Sequence, residues 1–179
     1  MRNIKIVYQY DGSKYYGFQR QKNKDTVQGD IEKIVFSKFN EKINMTSSGR
    51  TDRGVHALGQ VSNFSISKRI PLDAIKQQIN KTLRGKVKIL SIEEIHADFN
   101  ARFDAKRRTY LYVLKNESKI TPFEAPYVTS IKEEIDIDKL QLIFQPLTGV
   151  HDFSSFAKKD EAMRNPVREI YSIDCYYNK

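Results

Sequence analysis

Apolar and polar positions alternate at the start of the chain. Ile4, Ile6, Tyr8 and Tyr10 alternate with Lys5, Val7 and Gln9, which predicts a strand over 3–10 with one face packed. Asp11-Gly12 is a turn signal that ends it. The spacing then changes. Val27, Ile31, Ile34, Val35 and Phe39 recur at helical intervals and predict an amphipathic helix that ends near Asn40. Asp25-Thr26-Val27-Gln28 resembles a capping box at its start, with an acceptor at the cap and a Gln three residues on. Short strands over 44–48 and 60–66 follow, joined by a polar loop. Pro71 opens a second helix, with Leu72, Ile75, Ile79 and Leu83 as its buried stripe and Gly85 just past its end. Residues 87–95 read as a strand and 96–104 as irregular. Over 108–115, Tyr110, Tyr112 and Leu114 fall on one face and Thr109, Leu111 and Val113 on the other. Apolar residues on both faces predict a central strand.

The predicted order is β-α-β-β-α-β-β. This is an α+β class, a ferredoxin-like or RNA-recognition-like antiparallel sheet with helices on one face. Composition shifts over 116–134, with Pro122, Pro126 and the pair Glu133-Glu134. The expected organisation is an N-terminal domain over 1–115 and a partial second α+β domain over 116–179. The second holds a helix over 136–148, with Leu140, Ile143 and Phe144 inward and Pro146 kinking or ending it. An aromatic-rich loop over 149–156 and a charged irregular stretch over 161–168 follow. A last strand over 170–177 buries Cys175 as a small hydrophobe. A lone terminal strand with an apolar face needs partners. The expectation is therefore pairing across an oligomer, or an incomplete copy of something longer.

Composition narrows the function classes. The chain has 179 residues, 39% hydrophobic and 30% charged, the balance of a soluble globular protein. No apolar run approaches the ~20 residues that span a bilayer, and no signal-peptide apolar region follows Met1. No membrane association and a cytoplasmic location are expected. One cysteine permits no internal disulfide. His56, His96 and His151 lack any zinc-ligand spacing, and no glycine-rich phosphate loop is present. No metal or nucleotide cofactor is expected. The net charge of +9, from 31 Lys and Arg against 22 Asp and Glu, suits a polyanionic partner, most simply nucleic acid. Over 13–24, Tyr15, Tyr16 and Phe18 interleave with Lys14, Arg20 and Lys24. Such interleaving suits base stacking beside phosphate contacts, or a loop pinned to the core.

The polar loop over 47–57 is the strongest candidate for chemistry. It is fixed at both ends by strands, and polar loops on a rigid scaffold are where function is displayed. Asp52 sits between Arg50 and Arg53, and nearby cations favour an ionised carboxylate. Such a group serves as nucleophile, as base, or as stabiliser of an oxocarbenium-like sugar.

The string Gly49-Arg50-Thr51-Asp52-Arg53-Gly54-Val55-His56-Ala57, followed by Gln60 and Phe64, resembles the active-site motif of the tRNA pseudouridine synthase A family. Four further stretches resemble that family in the same order. They are Tyr10-Asp11-Gly12 with Tyr16-Gly17-Phe18-Gln19 and Gln21, then Thr26-Val27-Gln28, then Phe99-Asn100-Ala101-Arg102-Phe103 leading to Arg108-Thr109-Tyr110 and Tyr112, then Gly149, His151-Asp152-Phe153 and Phe156. The resemblance implies conversion of uridine to pseudouridine in the tRNA anticodon stem-loop, at about positions 38 to 40, on a nucleotide turned out of its stack because a stacked helix shields the glycosidic bond. It implies Asp52 as the catalytic aspartate. Tyr110 would stack on the target uracil and Arg50 would hold the turned-out nucleotide. No cofactor and no metal are implied; tRNA is the partner, and a homodimer the working state. His56 is expected to shape the loop. Family members continue past this point with a segment that carries an arginine paired to the aspartate. Nothing after Tyr177 supplies one, and Arg164 and Arg168 stand in another motif context. The alternative expectation is therefore a catalytically impaired or non-catalytic tRNA-binding or chaperone protein.

Overall fold

The alternation at the start of the chain builds the central strand of a four-stranded sheet. In the computed structural model, β1 (Arg2–Tyr10) lies between β3 (Ala57–Ile66) and β4 (Val87–Ile95), antiparallel to both. β2 (Thr46–Ser47) pairs antiparallel with the outer side of β3, so the order is β2-β3-β1-β4. Helix α1 (Val27–Phe39) connects β1 to β2, and α2 (Leu72–Thr82) connects β3 to β4. This is the split β-α-β-β-α-β arrangement of ferredoxin-like folds. The structure describes residues 1–156 and 165–177. They divide into two units: Met1–Val113 with Thr121–Thr129, and Leu114–Ile120 with Ser130–Lys179.

The core of the first unit lies between one sheet face and the two helices. Ile4, Ile6, Tyr8 and Tyr10 all point into it. They meet Phe64, Ile66, Val87 and Ile89 of the neighbouring strands, with Ile31 and Val35 of α1 and Ile75 and Ile79 of α2. Each such side chain contributes about 1.5–3 kcal/mol through removal from water. The period-2 and period-3.6 patterns therefore converge on one layer. The α1 cap sits one residue later than the capping-box pattern suggests. Thr26, rather than Asp25, accepts from the Gly29 N–H at 3.2 Å, while the Asp25 backbone carbonyl takes the Tyr16 N–H. Gln28 does not reach back to the cap; its amide donates to Glu32. The helix closes at Asn40 in a left-handed conformation, φ 51°.

The second sheet face is held to the turn over 96–104 by two asparagines. The Asn3 amide, 7% exposed, donates to the carbonyls of His96, Ala97 and Phe99 at 3.0–3.3 Å. Asn63 of β3, which faces Lys5 in the register, donates to the Asn3 side-chain carbonyl oxygen and to the Phe99 carbonyl, and accepts from the Ala101 N–H. A segment without ladder bonds thereby satisfies its backbone groups through side chains.

Several expectations are corrected beyond this point. Residues 108–113 form no strand; β5 (Leu114–Asn116) starts only at Leu114 and pairs with β6 (Thr129–Ile131). Tyr110 and Tyr112 are 71% and 80% exposed. A strand with apolar residues on both faces needs a ladder at both edges, and these residues have none in the described structure apart from the Val113 carbonyl, which accepts from the Thr129 N–H. In the second unit, α3 (Ile137–Phe144) is capped by Asp136 and passes into a 3-10 turn at Gln145–Leu147. Pro146 thus lies beyond the helix end. Ile143, expected to face inward, is exposed. β7 (Gly149–Asp152) pairs with β8 (Val167–Ile170), so the last strand precedes the expected 170–177. Cys175 is half-buried in an irregular segment, its N–H held by the Gln141 carbonyl oxygen. Among the described residues none after Ala101 is fully buried. The charged stretch over 161–168 and Arg164 lie wholly or partly outside the described residues.

Asn63→Ala is expected to destabilise the first unit by about 1–3 kcal/mol, because it leaves the Phe99 carbonyl and Ala101 N–H short of partners. Urea unfolding measures this directly. An unchanged midpoint would show that water replaces the asparagine at no cost.

Candidate active site

The loop over 48–56 leaves β2 and returns through β3, and almost every turn of it is tied to β1 or its following segment. At its first limb, Gln60 of β3 is the anchor. Its carbonyl oxygen accepts from the Ser48 hydroxyl at 2.7 Å and its amide donates to the Gly49 carbonyl at 2.8 Å. Gln60 is buried, and a buried amide with both ends satisfied rigidifies what it holds. Below it runs a chain of hydroxyls, Tyr8 to Ser62 at 2.8 Å and Ser62 to Ser47 at 2.6 Å. Burial pushes the Tyr8 phenol up, against the hydrogen bond from Ser62; it stays a neutral hydroxyl.

Thr51, immediately before Asp52, is gripped twice. Its carbonyl accepts from the Phe18 N–H at 3.1 Å, and its hydroxyl meets the Tyr10 phenol at 2.8 Å. Both partners come from the core: Tyr10 ends β1, and the Phe18 ring is buried. Gly17, with φ 109°, takes the left-handed turn that brings Phe18 there. After Asp52, the Val55 N–H bonds back to the Asp52 carbonyl. A Cβ on Gly12 would lie 2.0 Å from the Val55 carbonyl oxygen, so the Asp11-Gly12 turn is the seat on which the loop rests. A β-bulge follows: Tyr8 faces Gln60 but Tyr10 faces Ala57, which leaves one extra residue on β3 and turns the outgoing limb.

His56 closes the loop. Its Nδ1 accepts from the Gly12 N–H at 3.1 Å and lies 3.2 Å from an Asp11 carboxylate oxygen. With Nδ1 as acceptor, Nε2 carries the hydrogen and donates to the Pro126 carbonyl at 2.9 Å. The Tyr127 ring packs on the imidazole, centroids 4.9 Å apart, and its phenol donates to the other Asp11 oxygen at 3.0 Å. Burial works to raise the Asp11 carboxyl, but the bonds from Ser13 and Tyr127 and the neighbouring His56 outweigh it and hold the pKa below the ordinary value. A lowered carboxyl contributes stability that is present above its unfolded pKa of about 3.9 and lost as pH falls through the folded value. The Asp11 carboxylate therefore keeps its bonds to Ser13 and Tyr127 across the neutral range.

What the loop presents is the Asp52 carboxylate. It is exposed and has no hydrogen bond or ion pair among the described residues. Its flanking arginines do not pair with it among the described residues: the Arg53 guanidinium lies over the Tyr16 ring, 4.7 Å from its centroid, and Arg50 is exposed with no partner there. The segment that carries Tyr110 reaches the loop through Arg108. That guanidinium donates twice to the Ser48 carbonyl, at 3.0 and 2.6 Å. The roles of Gln60, Arg108 and the His56–Asp11–Tyr127 cluster are not legible from local patterning. The motif spacing does point to Gln60, but only the fold shows what it holds.

Gly12→Ala is expected to destabilise the chain by about 1–3 kcal/mol, as overpacking does, and to move the amide resonances of residues 51–56. Unchanged spectra would show that the turn is not the seat of the loop.

A family model described as tRNA pseudouridine synthase matches residues 6–104. The chain is 37% identical over 172 residues to the tRNA pseudouridine synthase A of Caldicellulosiruptor bescii, spanning 96% of this chain and 70% of that protein. It is 39% identical over 176 residues to that of Caldicellulosiruptor saccharolyticus, with 98% and 71% covered. For Borrelia turicatae the values are 38% over 171 residues, with 96% and 70% covered. The matched span contains the whole anchored loop and the β1 turn on which it rests, and on this likeness the chain belongs to the tRNA pseudouridine synthase A family.

Proposed function

We propose that this chain isomerises uridine to pseudouridine in tRNA, with Asp52 as the catalytic carboxylate. The observation that carries the reading is the contrast at the loop. Thr51 is held at two atoms and His56 at both ring nitrogens, while the carboxylate between them is exposed and unengaged among the described residues. A group held in place by its neighbours but left free itself is placed to meet a substrate without reorganisation.

The reaction breaks the bond between the sugar C1′ and uracil N1 and forms one from C1′ to C5. N1 gains a proton and C5 loses one, so the product is an isomer. Asp52 acts where the glycosidic bond breaks. The nucleotide must leave its stack to reach the loop. Arg50 holds it there, since an unpaired guanidinium beside the carboxylate is free to bind phosphate or ribose oxygens. Tyr110 stacks on the uracil; its exposed ring is available for that, and Arg108 brings its segment to Ser48. No metal or cofactor enters the scheme. The finer reading, drawn from the resemblance, is a target in the anticodon stem-loop, a homodimeric working state and a cytoplasmic location.

Transfer RNA carrying tritium at uracil C5 tests this. The chain is expected to release the label, and Asp52→Asn to slow release by at least about 100-fold. Tyr110→Ala is expected to cost about 1–3 kcal/mol of RNA binding through lost stacking. No release by the unmodified chain, or full release by Asp52→Asn, would overturn the proposal.

A further inference from the structure

The aromatic and basic stretch after β1 does not present Tyr16 as an open platform for a base. The ring carries two cations: the Arg53 guanidinium 4.7 Å from its centroid and the Lys24 ammonium at 5.2 Å. The ring is itself well placed. The Tyr16 N–H donates to the Asp25 carbonyl at 2.9 Å, and its own carbonyl accepts from the Gln21 amide at 2.9 Å. Gln21 and Lys24 are bridged to each other across the turn. Two sequence-distant cations, one from the segment after β1 and one from the loop, thus converge on one half-exposed ring.

Neither cation is neutralised. Among the described residues neither Arg53 nor Lys24 has a carboxylate or carbonyl partner, although Asp52 and Asp25 are their immediate neighbours in the chain. Some other basic residues of the same unit are engaged. Arg2 pairs with Glu94, Lys5 with Glu93 and Arg20 with Glu32, while Lys68 and Lys76 donate to backbone carbonyls. A guanidinium held over a ring without a carboxylate partner has N–H groups left for phosphate oxygens.

We propose that Arg53, Lys24 and Tyr16 form a phosphate grip for the RNA backbone beside the nucleotide at Asp52. The inference rests on the reading of this loop as one that handles RNA. Because Arg53 directly follows Asp52, the phosphate held there belongs to the target nucleotide or its neighbour. The grip fixes strand register at the loop independently of base identity, as backbone contacts do.

The test is the salt dependence of binding to an unmodified tRNA transcript, measured in an Asp52→Asn background so that no turnover intervenes. Arg53→Gln and Lys24→Gln are each expected to weaken binding and to reduce the slope of log affinity against log salt by about one. Arg53→Lys keeps the charge and is expected to restore the slope. Tyr16→Phe keeps the ring and is expected to change nothing. If Arg53 only pins the loop to Tyr16, Arg53→Gln lowers stability without changing the slope. An unchanged slope in either Gln variant overturns the grip. Binding is read without catalysis, so a chain that makes no pseudouridine yet shows both reduced slopes overturns the proposed reaction and leaves the grip standing.

Discussion

The site depends on the two-point hold on Thr51. One bond comes from the Tyr10 phenol at the end of the central strand, the other from the Phe18 N–H of the following segment. Neither partner is free to move: Tyr10 is packed among Tyr8 and Phe18, and Phe18 is 2% exposed. Cores are close-packed and transmit displacement, so the position of Asp52 is set by the same layer of side chains that makes the sheet stable. The loop is long and polar, yet its conformation is a property of the core.

That arrangement separates two kinds of charge. Carboxylates that build the structure are engaged: Glu32 accepts from Arg20, Gln28 and the Met45 N–H, and Glu41 accepts from Ser67. Asp11 is bonded on both oxygens. Asp52 is exposed and bears none of these contacts. The same contrast holds for the cations, where Arg2, Lys5 and Arg20 are paired and Arg50, Arg53 and Lys24 face outward beside the loop. Leaving opposite charges close together but unpaired is unfavourable in isolation, and functional sites retain such features where a substrate completes them.

Much of this was legible in the sequence, and the limits have physical causes. The strands and helices of the first unit follow from spacing because each has a single buried face, and alternation or 3.6-residue recurrence reports that directly. The loop announced itself through its motif. Contacts between distant segments did not. His56 bonding to Gly12 and Pro126, or Arg108 to Ser48, depends on tertiary placement that no local pattern encodes. Nor does adjacency in the chain say where a guanidinium goes: Arg53, next to Asp52, lies over the Tyr16 ring. The segment over 108–113 shows the converse. Its two apolar faces describe a strand between two neighbours, and composition cannot say whether those neighbours are present.

Hydrogen exchange of the free protein tests most directly whether the loop is held in place before RNA arrives. The amides of Phe18, Gly12 and Val55 bond to Thr51, His56 and Asp52, so their protection reports the anchors one by one. If the loop is built on the core, these three amides exchange together and nearly as slowly as those of β1. Exchange at unprotected rates, with β1 still protected, would contradict the account and mean that the loop is ordered only by its substrate.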